Sequence, residues 1–198
     1  PTRLCSSAAS DVYKRQWLEL AKKIEDAGAD SLAIKDMAGL LRPFDAYNLV
    51  KNLKETIEIP VHMQTHATTG MSAATNMKAI EAGIDNIGTS ISSLSMTYGH
   101  SATETMLAIF EDQDREIILD LEALEEVSKF FRNIRKKYSE FEGGLKGVDS
   151  SMLVKQVPGG MLSNLESQLR ANKQEDKIDL VKDEIPKVRK DFGYPPLV

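Results

Sequence analysis

The sequence holds a single cysteine, Cys5, so no internal disulfide can form and an oxidising compartment gains no support. It lacks an excess of positive charge: 25 Lys and Arg stand against 30 Asp and Glu, a formal net charge of −5. Nucleic-acid binding, which needs clustered basic residues, is therefore not expected. No apolar run approaches the roughly 18 residues of a membrane span. No Gly-x-Gly-x-x-Gly follows a strand, which removes the usual argument for a dinucleotide site. What remains is ordinary. A hydrophobic share of 41% and a charged share of 28% are those of a globular protein. The 198 residues fit one domain of the common ~100–200-residue size. These features predict an acidic, soluble, cytoplasmic protein.

Both ends look cut. Residues 1–16 show neither helical nor strand periodicity and resemble translated sequencing-adapter sequence, the alternative being a natural polar arm. From Trp17 the pattern alternates. Leu18, Ala21 and Ile24 form an amphipathic stripe ended by Gly28. Ser31–Lys35 is a short apolar strand, and Pro43 opens a helix to about Thr56. Pro60–His66 reads as a strand, Met71–Ala82 as a helix closed by Gly83, and Asp85–Thr89 as a third strand. The segments 27–35 and 82–90 repeat one design: helix end, Gly, turn, Asp, apolar strand. Units of roughly 25–30 residues are βαβ building blocks and imply a parallel sheet with right-handed crossovers. Further on, helices are expected at about 101–110, Asp120–Tyr138, 162–172 and 175–191, around a glycine-rich loop at 141–160. Polar residues collect at the strand ends, where parallel α/β folds bind ligands. The fold class is thus α/β, a partial (β/α)8 TIM barrel followed by a helical C-terminal region. Its divisions fall at 1–16 (a non-native or disordered arm), 17–115 (barrel) and 116–198 (helices).

Several residues carry chemistry. Lys35 ends an apolar strand, so it either serves as a desolvated nucleophile, Schiff base or carbamate former, or reaches solvent from the rim. His62, Gln64 and His66 alternate and share one face, a feasible arrangement for a divalent ion or a set of packed core and turn residues. The turn Thr65–Gly70 precedes a helix, where Thr68 or Thr69 is expected as N-cap and the N-terminus suits anions. Thr97, Tyr98 and His100 lie in a polar loop and either deliver protons or belong to a plain surface loop.

Taken together, Ile34–Leu41 (IKDMAGLL), His66–Gly70 (HATTG), Lys78–Gly83, Thr97–His100 with Thr103 and Glu104, and Val157–Leu169 resemble the carboxyltransferase domain of biotin-dependent enzymes. The resemblance spans about residues 17–198 and is closest to the oxaloacetate decarboxylase alpha subunit and the transcarboxylase subunit. It implies carboxyl transfer between oxaloacetate, or a similar β-keto acid giving pyruvate, and biotin borne on a separate carrier domain. It also implies a divalent metal of Zn, Co or Mn type. On this resemblance Lys35 becomes a carbamate serving the metal. His66 matches one histidine of the family's His-x-His pair, and Gln64 stands in the place of the other, where its amide oxygen can ligate as a neutral, weaker donor. Tyr98, with Thr97 adjacent, falls where a threonine of pyruvate carboxylase exchanges a proton with biotin, and His100 belongs to the decarboxylase-type loop. A homo-oligomer and, for the decarboxylase, a membrane subunit are further implied partners. The isolated chain is expected to be inactive. Two other readings stand beside this one: a metal-dependent acyl-CoA lyase of related barrel type, and a non-catalytic scaffold.

Overall fold

The computed structural model of the chain describes residues 7–111, 113, 118–155 and 159–193. Helix α1 (Ser7–Asp26) leads into β1 (Leu32–Asp36) through Gly28, whose φ of +88° is the left-handed turn that glycine adopts without penalty. Helix α2 (Pro43–Thr56), opened by its proline, precedes β2 (Val61–Thr65). Helix α3 (Ser72–Glu81) ends before Gly83, φ +90°, and leads to β3 (Asn86–Gly88). The strands form one parallel sheet in the order β1-β2-β3. The strand-helix repeat legible in the sequence is therefore present as three turns of one arc.

Among the described residues, helices cover one face of the sheet. Strand alternation puts Val61, Met63 and Thr65 of β2 on one side, all buried, and His62 and Gln64 on the other. Leu32 and Ile34 of β1 join the covered side, while Ala33 and Lys35 are exposed. Against the covered side pack Ala21 of α1, Ala46, Val50 and Leu53 of α2, and Ala79 of α3. Each large apolar side chain buried here contributes about 1.5–3 kcal/mol. Asp85 fixes the start of β2: its carboxylate accepts Val61 N–H at 2.7 Å and pairs with Lys54 at 2.7 Å. Burial works against that carboxylate, but Lys54 and the Val61 amide outweigh it and hold its pKa below the ordinary value.

Beyond β3 the chain turns helical. A parallel bridge between Ser90 and Ala102 precedes α4 (Thr103–Phe110). Helix α5 (Leu121–Lys137) is capped by Asp120, whose carboxylate accepts the Glu122 and Ala123 N–H groups at 2.8 and 3.2 Å. Next come α6 (Met152–Lys155), α7 (Gly159–Ala171) and α8 (Ile178–Asp191). Met152 and Leu162 form a second buried cluster with Tyr98, Met161 and Ile185. Among the described residues no helix is long and apolar enough to cross a membrane.

Some boundaries differ from those the sequence predicts. Helix α1 reaches back to Ser7, into the stretch 1–16 expected as an arm: Ala8, Ala9, Lys14, Arg15 and Gln16 favour helix without forming an apolar stripe. Residues 1–6 lie outside the described residues. Helix α7 begins at Gly159 rather than 162, and a short helix, α6, sits within the stretch expected as loop. Neither threonine caps α3. The residue before that helix is Met71, with no side-chain cap; Thr69 Oγ1 donates instead to the Gly39 carbonyl, and Thr68 Oγ1 is buried without a partner among the described residues. The turn is pressed beneath a neighbouring loop, which takes up the Thr69 hydroxyl before the helix can.

Candidate active site

The uncovered face carries the candidate residues, and the strand register sets them side by side. Lys35 lies opposite Gln64, and Gln64 opposite Gly88. His62 shares this face one step farther from the strand ends, opposite Ala33 and Asn86. His66 follows β2 directly and keeps the parity of Gln64.

The turn after β1 holds His66 in place. The Asp36 carboxylate accepts Leu40 N–H and Leu41 N–H, each at 2.9 Å, and the Thr65 hydroxyl at 2.8 Å. Its carbonyl accepts His66 N–H at 3.1 Å. Gly39 sits at φ +65°, and a Cβ there would come within 2.4 Å of the His66 carbonyl oxygen. Asp36 and Gly39 are thus positioning residues. In the sequence Asp36 stands out only as polar and at a strand end, and Gly39 only as a member of a longer motif. The available signal was an Asp followed by a glycine three residues on, a common turn pattern.

The imidazoles come next. His66 Nδ1–H donates to the Tyr98 carbonyl at 2.6 Å, which leaves Nε2 with the lone pair in the neutral ring. The His100 ring stands 4.6 Å from the His66 ring, tilted by 48°. The Gln64 side-chain amide nitrogen donates to His100 Nε2 at 2.8 Å. Burial, then the neighbouring His66 and Lys35 side chains, lowers the His100 pKa below its ordinary value, so this ring is neutral at neutral pH.

The loop bearing His100 is strained and tied down. Met96 and Thr97 both take left-handed backbone, φ +62° and +52°, costly for residues with a Cβ. Met96 N–H donates to the His100 carbonyl and Gly99 N–H to the Met96 carbonyl, each at 2.7 Å, and Ala67 N–H donates to the Gly99 carbonyl at 2.8 Å. The Glu104 carboxylate accepts Ser92 N–H through both oxygens, at 3.0 and 2.9 Å. Tyr98 points its phenol away from this cluster: Oη donates to Glu166 of α7 at 2.7 Å, and the other Glu166 oxygen accepts Gly144 N–H at 2.8 Å. A Cβ on Gly143 would come within 2.4 Å of the Tyr98 ring, so the ring lies directly against that backbone. Burial, then the Glu166 and Asp149 carboxylates, pushes the phenol far above its usual pKa. Glu166 stands out in the sequence only as a member of the 157–169 motif and Gly143 only as one glycine of the 141–160 loop, and their contact is not legible because their partner lies far away along the chain.

Lys35, Gln64, His66 and His100 thus meet on one face. Among the described residues no three His, Cys, Asp or Glu side chains converge, so an acid-rich cation cage is absent there. The donor set still fits a divalent ion of the Zn, Co or Mn type. His66 presents Nε2 with its other nitrogen held by a carbonyl, the usual support of a metal-ligating imidazole. A second neutral imidazole and a strand-end amine stand beside it.

A parallel strand-helix arc with polar side chains at its strand ends is the architecture of part of a barrel-type α/β fold. Residues 2–131 match the HMGL-like family, and residues 152–198 match a conserved carboxylase domain. A pyruvate carboxylase subunit of Methanocaldococcus jannaschii is 46% identical over 184 residues, 92% of this chain and 32% of that protein. The methylmalonyl-CoA carboxyltransferase 5S subunit of Propionibacterium freudenreichii is 46% identical over 92% of this chain and 36% of its own length. The carboxyl transferase domain of Rhizobium etli pyruvate carboxylase, solved with pyruvate, superimposes with a TM-score of 0.88 at 32% identity, covering 93% of this chain and 31% of that one. The chain belongs to the HMGL-like family, as part of a carboxyltransferase domain of the biotin-dependent carboxylases. It spans about a third of the length of these relatives.

Proposed function

We propose that this chain supplies one wall of a carboxyltransferase active site, in which a carboxyl group passes between oxaloacetate, or a similar β-keto acid, and biotin on a separate domain. The observation that carries this reading is the meeting of Lys35, His66 and His100 on the open sheet face, with His66 Nδ1–H locked to the Tyr98 carbonyl. Lys35, His66 and a neighbouring side chain would hold a divalent ion. When bound, such an ion polarises the keto oxygen and offsets the negative charge that develops as carbon dioxide leaves. Lys35, facing solvent, is open to carbamate formation: its free amine adds carbon dioxide, an N–H proton passes to solvent, and the side chain becomes an oxygen donor. His100, neutral and beside Lys35, offers this face one lone pair, to a proton or to a cation but not to both at once. The Tyr98 phenol is hydrogen-bonded to Glu166, so the part of Tyr98 in this site is to place the carbonyl that orients His66; exchange of a proton with biotin by Tyr98 requires that pair to open, whereas Thr97 beside it would act through its own hydroxyl.

The division at 17–115 and 116–198, a homo-oligomeric parent protein, a membrane partner and a cytoplasmic location belong to this same reading. The conserved carboxylase domain matched at 152–198 favours it over an acyl-CoA lyase. The test uses a protein that carries this whole sequence within a chain as long as its relatives. Decarboxylation of oxaloacetate should rise with added biotin and fall by roughly a hundredfold or more in Lys35→Ala. Biotin-independent turnover of an acyl-CoA would overturn the proposal. The 198-residue chain alone should show no decarboxylation.

A further inference from the structure

We infer that His66 and His100 form a two-imidazole divalent-cation site, in which His100, from the loop after β3, provides the second ring in place of the side chain at position 64. This deepens the carboxyltransferase reading and rests on it for the purpose of the ion.

Four observations lead there. First, an amide nitrogen can only donate, so the contact from Gln64 leaves the His100 Nε2 lone pair aimed at the position-64 side chain. The ring therefore faces the spot where a ligand at position 64 would work. Second, the spacing suits a shared ion. With metal–nitrogen bonds of about 2.0–2.1 Å, two imidazoles at roughly 90–110° hold their ring centres about 4.5–5.2 Å apart, and the observed separation is 4.6 Å. Third, the His66 Nδ1–H bond to Tyr98 presents Nε2 as the free donor. Fourth, the His100 backbone is held by the Met96 amide, so the ring comes from a fixed loop rather than a loose one. Gln64 offers only a neutral amide oxygen, a weaker donor than imidazole for Zn-like ions. Its amide N–H then occupies the His100 lone pair until a cation displaces it.

Zn2+ titration of the 198-residue chain, followed through imidazole 15N–1H signals, tests this directly. The sequence has three histidines, so each ring is separately visible. The His66 and His100 signals should shift together along one saturable curve, with a smaller change at His62. His100→Ala should raise the Zn2+ Kd roughly tenfold or more, and Gln64→Ala by less than about threefold. In a Gln64→His background, which restores an imidazole at that position, His100→Ala should cost less than about threefold. Saturation of His66 with the His100 signal unmoved overturns the inference and leaves the metal reading standing. Absence of binding up to millimolar Zn2+ overturns both. The unmodified chain alone decides between these outcomes, whether or not the variants fold.

Discussion

The two faces of the sheet differ in almost every physical respect. On the covered face Val61 and Met63 are fully buried against α1, α2 and α3. On the open face the same strands present Lys35, Gln64 and, just beyond, His66. One strand thus carries two sets of instructions at a period of two residues. The apolar set selects the fold, and the polar set remains free to be selected for chemistry. Changes on the covered face should therefore cost stability, and changes on the open face should cost function at little expense in stability.

The sharpest contrast pairs Met63 with Lys35. Met63→Ala should destabilise by about 2–5 kcal/mol, whereas Lys35→Ala should stay within roughly 0.5 kcal/mol, both from urea unfolding. Comparable losses would break the division between faces. Gly39→Ala comes next, because it forces a side chain into left-handed backbone and onto the His66 carbonyl. A loss of about 1–3 kcal/mol is expected, together with displaced His66 ring signals; an unshifted spectrum would deny Gly39 its positioning role. Tyr98→Phe removes one charge-assisted hydrogen bond, worth about 1.5–3 kcal/mol at most. In a double-mutant cycle with Glu166→Gln the two losses should not add. Full additivity would mean that the two side chains act separately.

The smallest effect is in pH dependence. The folded chain disfavours charged His100, while the unfolded chain protonates it near the ordinary pKa of 6.5. Below that pH the unfolded state binds more protons, so stability is complete above about 6.5 and declines as pH falls. The decline levels off once the folded ring also protonates. His100→Gln should flatten this limb of a Tm-against-pH curve. Asp85 and Glu104, whose carboxyls are held low, act in a separate and more acidic window.

Much of the fold is legible in the sequence because it rests on local rules. Pro43, Gly28 and Gly83 mark helix ends by backbone geometry alone, and strand alternation by itself puts Lys35 and Gln64 on one face. Contacts between distant segments are not legible. The bond from Tyr98 to Glu166 joins a loop to α7, and no periodicity encodes it. The same holds for Gln64 and His100, which belong to separate motifs. Residues 7–16 show the opposite failure: helix propensity without an apolar stripe is easily mistaken for an arm. Proximity assigns Thr69 to the helix that follows it, yet a carbonyl from the turn after β1 claims its hydroxyl.

The open face can be examined in a crystal of a protein containing this whole sequence, soaked with Co2+ and measured at the cobalt edge. An anomalous peak within bonding distance of His66 Nε2, bordered by Lys35 and His100, is expected. A peak elsewhere, with His66 and Lys35 both remote from the ion, would contradict the assignment of this face as the catalytic one.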